Sequence, residues 1–412
     1  MRFLIMDPGA VAPVGHHFLM NTIYFRELSR RGHDVRVYTH RNCKDVPPDL
    51  LPAIPYFSFW PYGATSNDPV DGWLDTWQQG SEIIYRDLRA LPERFDTEPV
   101  GIIVHSMHHN IFAGICRWIA ELPRQGGPTV FLLFGLPSGI KVEGEGIALN
   151  YPVATPYRRG FNILRQAEYP RVVLGAPTDI YNQEFNILAN GLPVISHPFH
   201  FAGDLHDLAV PPRRDGRIRL LYAGDARPDK GFHLLPDILE ALLSRHADVE
   251  ADIQISGFLD AISGSGLIAS RLEMLARQTG RVRLRHGYIG MEEYMRMLAE
   301  GDVGLLPYSG QHYGSLPSGV QTELLFLGKP TVVPAHTAME KMINQLGGCG
   351  VTFERQEAAS CIAAVETLLA EFPLYQTLAR RARNIWRASN GNTHLMDFLL
   401  DHMARHAANS GG

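Results

Sequence analysis

The sequence predicts an α/β fold in which two parallel, doubly wound sheets follow each other along the chain. Short apolar runs bounded by Gly, Pro or Asp alternate with longer stretches of helical spacing, which is typical of βαβ units. With 412 residues, the chain is too long for one ordinary hydrophobic core. Near its middle, residues 210–216 form a polar stretch with Pro and Gly, which indicates a domain boundary.

The domain limits follow from this boundary. Residues 1–210 are predicted to form a first Rossmann-like domain and residues 211–380 a second one. Residues 381–412 are predicted to be a C-terminal helix that crosses back to the first domain, within a helical pattern from Leu374 to Met403. Ligands of such sheets bind beyond the carboxyl ends of the strands, so we expect the two sheets to face each other across a cleft.

The first half is predicted to contain strands separated by helical segments. Apolar residues have helical spacing between Phe18 and Arg30, and Gly32 ends this helix. The aromatic-rich segment from Tyr56 to Gln79 has no regular period, so it is predicted to be an inserted loop. The predicted strands are Phe3–Met6, Val35–Tyr38, Gly101–Val104, Val130–Phe134, Val172–Leu174 and Val194–Ile195.

The second half repeats this alternation, which favours a second parallel sheet. Its predicted strands are Arg219–Tyr222, Ala251–Ser256, Val282–Leu284, Val303–Leu306 and Thr331–Val333. Its predicted helices are Pro236–Arg245, Ile268–Gln278, Met291–Glu300 and Gln321–Leu327.

The composition excludes several classes of partner. Lys and Arg number 38 against 43 Asp and Glu, so the formal charge of −5 leaves no basic surplus for nucleic acid. The 4 cysteines form no CxxC pair, which favours a reducing compartment over a disulfide framework or a thiolate zinc site. The apolar run at residues 1–6 is too short for a signal peptide or a spanning helix. We expect a cytoplasmic protein. Peripheral contact at the inner face of a membrane and the oligomeric state are left open.

The first motif with chemical content runs from Leu220 to Phe232. A strand ends at Gly224, and Arg227 and Lys230 follow in a turn before a Leu-rich helix. The glycine lets a diphosphate approach the backbone, and the two cations can neutralise it. Taken singly, each cation would be read as an ordinary turn residue. Their position after a glycine at a strand end favours a phosphate site.

The second motif begins after a strand that ends at Pro307. A Gly- and Ser-rich loop leads through Ser318, Gly319 and Val320 into a short helix that carries Glu323. Amide groups at a helix N-terminus bind phosphate. A carboxylate one turn inside the helix would repel phosphate, so we expect Glu323 to hold ribose hydroxyls.

These motifs resemble those of the GT-B glycosyltransferases of the large retaining group called family 4. Asp302–Pro307 is similar to the family's strand pattern a-D-v-x-l-l-P. The family motif G-R-L-x-x-x-K-G is matched at Gly224, Lys230 and Gly231. The motif E-x-F-G-L-x-x-x-E-A-x-A-x-G-x-P-V-V is matched at Glu323, Gly328, Pro330, Val332 and Val333. The resemblance is specific over most of the second half and only in outline over the first.

The resemblance implies a GT-B fold, a nucleotide-diphosphate sugar as the donor substrate, and retention of configuration without a metal. It implies donor-binding roles for Gly15, which lies in the first loop, and for Tyr288, which precedes the Asp302 strand, besides the motif residues. Two positions depart from the family pattern. Asp225 stands where the family has arginine, and Ser315 stands where it has the first of two glutamates, which puts the donor contacts in doubt.

Histidines follow the predicted strand that ends at Val104. His105, His108 and His109 would have metal-ligand spacing on a helix, but no carboxylate accompanies them and no Asp-x-Asp motif occurs, so no metal is expected. The resemblance implies that a histidine after this strand contacts the transferred sugar. His105 and His108 are both candidates. His16 and His17, beside Gly15, are expected to face either the acceptor or solvent.

Together these observations predict a glycosyltransferase with no cofactor. Arg227 and Lys230 would stabilise the charge that grows on the leaving diphosphate, and His105 or His108 would act at the sugar. The acceptor would be a glycan, a lipid-linked sugar or a small molecule. Two alternatives remain open: a sugar-nucleotide epimerase of the same fold, which needs a proton-transfer pair, and a non-catalytic binding protein.

Overall fold

The structure is a computed structural model that describes the whole chain except residues 14, 45, 49, 96–97, 144–145, 202–215, 257–264, 288 and 409–412. The chain divides into two compact units, Met1–His200 with Gly391–Gly412, and Phe201–Asn390. The predicted domain limit after residue 210 lies outside the described residues. The limit predicted after residue 380 lies inside the last helix of the second unit.

The first unit contains a parallel sheet in the order β3-β2-β1-β4-β5-β8-β9, and β6 and β7 form a separate antiparallel hairpin. Its strands are β1 (Arg2–Asp7), β2 (Asp34–His40), β3 (Ala53–Phe57), β4 (Val100–Val104), β5 (Thr129–Leu133), β6 (Ile140–Glu143), β7 (Gly146–Leu149), β8 (Val172–Ala176) and β9 (Val194–Ser196). Its first helices are α1 (Gly15–Arg30), α2 (Gly72–Arg89), α3 (His109–Ile119), α4 (Tyr151–Ala167) and α5 (Asp179–Ala189).

The second unit contains a parallel sheet in the order β12-β11-β10-β13-β14-β15. Its strands are β10 (Ile218–Tyr222), β11 (Val249–Ile255), β12 (Val282–His286), β13 (Val303–Leu305), β14 (Thr331–Pro334) and β15 (Gly350–Phe353). Its helices are α6 (Leu235–Arg245), α7 (Ser265–Thr279), α8 (Met291–Glu300), α9 (Gly319–Leu327), α10 (Ala338–Gln345), α11 (Ala358–Ala370) and α12 (Phe372–Arg387). The last helix, α13 (Asn392–Ala408), belongs to the first unit.

Each unit has its own core, as the apolar strands require. Phe3 and Ile5 of β1 are fully buried in the first unit, beside Leu399 of α13. Leu220 of β10 and Leu239 of α6 are fully buried in the second. Strands covered on both faces read as continuous apolar runs, which is why the sequence predicted them.

Every strand and helix named from the sequence is present in its predicted half, with ends shifted by a few residues at most. The α/β fold with two doubly wound sheets is therefore confirmed. The predicted loop from Tyr56 to Gln79 is wrong in its second part, because α2 begins at Gly72 and its buried apolar residues lie beyond Gln79. The helical pattern predicted from Leu374 to Met403 is present as two helices, because Gly391, with a φ of 110°, separates α12 from α13.

The topology places one open crevice in each sheet. β1 pairs with β2 on one side and β4 on the other, and β10 pairs likewise with β11 and β13. The chain runs in opposite directions from these central strands, so their carboxyl ends are where ligands of such sheets bind.

By length and apolar character, no single described helix could span a membrane. The pair Ala358–Ala370 and Phe372–Ala408, bent by 89°, meets the length and composition requirements only together.

Candidate functional site

The crevice of the first unit holds a hydrogen-bonded group that we call the Asp7 cluster: Asp7, His17, Asn21, Tyr62 and His105. Asp7 ends β1, and His105 follows β4. Asp7 Oδ1 lies 2.8 Å from His17 Nδ1, and Asp7 Oδ2 accepts from Asn21 Nδ2 at 2.8 Å. His105 Nε2 lies 2.7 Å from Asn21 Oδ1 and 3.4 Å from Asp7 Oδ2. Parallel neighbouring strands bring these side chains to one edge.

The charge of the Asp7 cluster is set by its partners. Burial alone would raise the pKa of Asp7, but attraction to His17 and His105, with their hydrogen bonds, outweighs it and holds the pKa well below its ordinary value. Asp7 is therefore ionised and only accepts hydrogen bonds.

The two candidate sugar-contacting histidines have different surroundings. His105 is part of the Asp7 cluster, stacks on Tyr24 with ring centroids 5.6 Å apart, and contacts Ser106 Oγ through Nδ1 at 3.2 Å. His108 caps α3, because its Nδ1 accepts from the Asn110 amide. Burial, and secondarily the charges of His109 and His17, lower the pKa of His108 to about 2. His108 is therefore neutral, and its Nδ1 is bonded to the start of α3. His105 is buried as well, and both of its ring nitrogens have partners in the crevice of the first unit.

Gly15, predicted to bind the donor, is the first residue of α1 and is exposed, with a φ of 80°. His16 follows it, is also exposed, and lies with Nε2 3.1 Å from Ser106 Oγ. The start of α1 thus lies beside the loop after β4.

The described residues bring together a set that could hold a metal ion, namely Asp7, His17 and His105, whose ligand atoms lie within 4.8 Å of one another. Hydrogen bonding already accounts for these atoms. Asp7 pairs with His17 and Asn21, and His105 Nε2 pairs with Asn21. The premise that no carboxylate accompanies the histidines after β4 is wrong for His105, because Asp7 Oδ2 lies 3.4 Å from its Nε2.

The crevice of the second unit is built around Gly224, which follows β10. Gly224 has a φ of 102°, and its amide donates to Gln254 Oε1 at 2.9 Å. A Cβ added at Gly224 would lie 2.9 Å from Lys230 Nζ and 3.9 Å from Cγ2 of Val320. Three predicted donor-site residues therefore meet at one place. The left-handed backbone favours glycine here.

Lys230 is the cation of this crevice. It is partly buried, and Nζ lies 5.9 Å from the centre of the Tyr308 ring. Burial lowers the pKa of Lys230, with Asp225 opposing the shift and Arg227 adding to it. Gly231 holds the loop against β13, since a Cβ there would lie 2.0 Å from the Pro307 carbonyl oxygen.

Arg227, the second predicted cation, is paired within its own turn. Its Nη2 donates to Asp229 Oδ2 at 2.7 Å and to Tyr313 OH at 3.0 Å. Its Nε is buried and has no hydrogen-bond partner in the described part of the chain. The charge of the Arg227 guanidinium is therefore partly balanced by Asp229, which the sequence motif did not predict. Asp225, at the position that departs from the family, pairs with Ser256 as an isolated bridge.

The start of α9 completes the crevice. Ser318 is the N-cap, and its hydroxyl accepts from the Gln321 amide at 3.3 Å. Gly319 begins the helix and is exposed, with open space around the position of a Cβ. The free amides of this first turn lie beside Val320, hence near Lys230.

Glu323, expected to hold ribose, is buried and paired inside the protein. Its Oε2 accepts from Tyr294 OH at 2.6 Å. Burial raises the pKa of Glu323 to about 7, and the Tyr294 hydrogen bond opposes this rise. The carboxyl therefore keeps its proton to a higher pH than an ordinary glutamate. Tyr288, also predicted to bind donor, lies outside the described residues.

Sequence reasoning missed most of the Asp7 cluster. Asp7, Asn21 and Tyr62 were not predicted, although Asp7 is a polar residue at the end of a strand, which is the signal that singled out His105. Asn21 lies within an amphipathic helix and Tyr62 within an irregular segment. Nothing local marks either residue.

No protein-family model matches the chain, and no curated protein is similar to it in sequence. Solved structures are similar in fold. The N-terminal domain of trehalose-6-phosphate phosphatase from Candida albicans matches with a TM-score of 0.67 at 9% identity, covering 98% of this chain and 97% of that one. Sucrose-phosphate synthase from Thermosynechococcus elongatus matches with 0.63 at 14% identity, covering 99% of both.

HepE from Anabaena, solved in complex with UDP and glucose, matches with a TM-score of 0.61 at 14% identity, covering 98% of this chain and 99% of that one. Similarity over nearly whole chains confirms the predicted GT-B fold. Membership of family 4 stays a prediction.

Proposed function

We propose that the protein is a glycosyltransferase that uses a nucleotide-diphosphate sugar, with the donor diphosphate bound in the crevice of the second unit. One observation carries the proposal: Lys230 Nζ, the Gly224 backbone and the first turn of α9 converge on one place. A cation, an approachable backbone and helix amides are what a diphosphate requires. HepE, of similar fold, was solved with UDP and glucose.

The mechanism follows from where charge develops. When the bond between sugar and diphosphate breaks, negative charge grows on the leaving phosphate. Lys230 and the amides of Gly319 and Val320 are held in position before the reaction, so they stabilise this charge without reorganising. Glu323 is placed one turn into α9, where its carboxyl can accept from ribose hydroxyls.

The finer parts of the proposal rest on the sequence resemblance. They are retention of configuration, reaction without a metal ion, and a glycan, lipid-linked or small-molecule acceptor bound by the first unit. His105 and His108 both stay candidates for contact with the transferred sugar, since His108 caps a helix and His105 is buried with both ring nitrogens bonded.

A thermal-shift series with UDP, GDP, ADP and dTDP tests the proposal, since a bound ligand raises the melting temperature. We expect one nucleotide to stabilise the wild type and to stabilise Lys230→Ala much less. Lys341→Ala, which removes an exposed lysine of α10, is the matched control and should respond like wild type. If no nucleotide stabilises the wild type, or if Lys230→Ala responds equally, the diphosphate site is wrong.

The corresponding nucleotide sugars then separate the alternatives. A transferase releases the nucleotide, quickly with an acceptor and slowly with water. Release of an isomerised nucleotide sugar would identify an epimerase, and binding without any turnover would identify a binding protein.

A further inference from the structure

We propose that Nε2 of His17 is the atom of the first unit that receives a hydroxyl hydrogen of the acceptor, and that the Tyr62 hydroxyl marks this position. The inference rests on the proposed function and deepens it by assigning an acceptor-binding atom. The contacts of the Asp7 cluster support this inference in three steps, and each step concerns a different hydrogen bond.

The first step fixes the tautomer of His17. Asp7 is ionised and can only accept, so the 2.8 Å contact requires a hydrogen on His17 Nδ1. We take this hydrogen to be the only one on the two ring nitrogens, which leaves a lone pair on Nε2. This assignment makes Nε2 an acceptor atom on the side of the ring away from Asp7.

The second step fixes the orientation of the ring. The other oxygen of Asp7 accepts from Asn21 Nδ2 at 2.8 Å and lies 3.4 Å from His105 Nε2. The Asp7 side chain is only 2% exposed, so it cannot turn away from His17. The buried carboxylate holds the imidazole much as an outer-shell carboxylate holds a ligating histidine.

The third step concerns the partner of Nε2. Tyr62 OH lies 2.7 Å from His17 Nε2, and Tyr62 is 40% exposed. Burial, and then the charge of Asp7, raise the pKa of Tyr62, so its phenol keeps the hydrogen that it donates. A ligand hydroxyl is the same kind of donor. Exchange of one O–H···N bond for another costs little, and an exposed side chain can move aside.

The chemistry of the position selects its ligand. A ring lone pair backed by a carboxylate attracts a hydroxyl hydrogen and repels phosphate or carboxylate groups. The site therefore binds the hydroxyl-bearing face of a sugar. Tyr62 also lies edge-on to His108, with ring centroids 4.8 Å apart, so an apolar sugar face would find aromatic rings beside the hydroxyl site.

Nitrogen NMR of full-length protein labelled with ¹⁵N-histidine tests the proposal, with glucose as the probe and His17→Gln to assign the signal. We expect a hydrogen on Nδ1 and none on Nε2. The Nε2 signal should move in Tyr62→Phe, and glucose should move it back at lower concentration than is needed to perturb the wild type. A hydrogen on His17 Nε2 would overturn the assignment. So would a His17 nitrogen signal in Tyr62→Phe that does not shift when glucose is added.

Kinetics give a second readout, with UDP-glucose as donor and glucose as acceptor. His17→Gln should raise the KM for glucose about tenfold, the cost of one hydrogen bond to a polarised group, with little change in the KM for donor. His336→Gln, which alters an exposed histidine paired with Glu354 at 3.0 Å, is the matched control and should change neither. An unchanged KM for glucose in His17→Gln would contradict the proposal.

Different outcomes would refute the donor site at Lys230 and the acceptor atom of His17. If UDP stabilises the protein through Lys230 but glucose never perturbs His17, the donor site stands and the acceptor atom is wrong. If glucose perturbs His17 but no nucleotide binds, the sugar site stands and the transferase assignment is wrong.

Discussion

The two units share a doubly wound parallel sheet, but the pKa of a buried carboxyl is lowered in one unit and raised in the other. Asp7, beyond the central strand of the first sheet, has its pKa held low by His17 and His105 despite burial. Glu323, at the crevice of the second sheet, has Tyr294 as its partner, and burial raises its pKa to about 7. One carboxyl is an ion with donors around it, and the other is close to neutral.

This difference indicates which chemical group each crevice can bind. In the first unit, Asp7, Asn21 and His105 hydrogen-bond one another. The proposed acceptor atom, His17 Nε2, is bonded to the exposed Tyr62 hydroxyl, which a ligand hydroxyl would replace. In the second unit, Lys230 Nζ donates no hydrogen bond to any residue that the structure describes, although the charges of Asp225 and Asp229 act on it. The first crevice therefore suits a hydroxyl and the second an anion.

The largest expected effect is at the unbalanced cation. Lys230→Ala should lower turnover roughly a hundredfold, because one charged contact to the leaving group is lost in a partly buried site. Ground-state binding of the nucleotide should suffer less than turnover, since charge grows as the bond breaks. Steady-state kinetics with the donor from the nucleotide screen would measure both.

The shape of the site supplies a second test of the same cation. Lys230→Arg should restore little, because a planar guanidinium is wider than the compact ammonium charge that this position holds. Lys341→Ala is again the control. Turnover near the wild-type rate in folded Lys230→Ala would remove the contrast between the crevices.

The next effect is on stability in the first unit. Asp7→Asn should lower the free energy of unfolding at pH 7 by about 2 kcal/mol, since buried hydrogen bonds to a charged group are weakened. A carboxyl whose pKa is low in the folded state stabilises above its ordinary value of about 3.9 and loses this contribution as pH falls below it. The difference between variant and wild type in urea unfolding should therefore shrink below pH 4. A difference that grows in acid would refute the ionised Asp7.

Glu323 should show the opposite pH dependence. Between its ordinary pKa of 4.5 and about 7, the folded protein holds a proton that the unfolded chain has released, so stability falls as pH rises through this window. Glu323→Gln should lose this fall, and Tyr294→Phe should extend it to higher pH by removing the hydrogen bond that lowers the pKa. Urea midpoints at pH 5 and pH 8 would detect both.

The same variant tests the ribose contact. Glu323→Gln should weaken nucleotide binding about tenfold, because an amide accepts less strongly than a carboxylate. Calorimetry that shows unchanged affinity in a folded variant would leave Glu323 with only its structural bond to Tyr294.

Sequence patterns predicted the two sheets because a buried parallel strand is recognisable from its own short run of apolar residues. Leu220 and Phe3 lie in apolar runs that only a covered strand explains. Lys230 and Gly224 were predicted because motif spacing fixes both on one turn. Asp7, Asn21 and Tyr62 were not, since their meeting depends on the order of strands in the sheet. The hydrogen bond between Arg227 and Tyr313 also joins residues far apart in the sequence, so no motif spacing predicts it.

The smallest effect is expected at Arg227, where the motif and the structure differ most. Arg227→Ala should lower turnover only a few-fold, because Nη2 is already paired with Asp229 and Tyr313 and its charge is largely balanced. Asp229→Asn sharpens the test: it frees the guanidinium, so turnover should stay level or rise slightly. A loss in Arg227→Ala as large as that in Lys230→Ala would mean that the guanidinium leaves Asp229 when donor binds, and the second crevice would then contain two active cations.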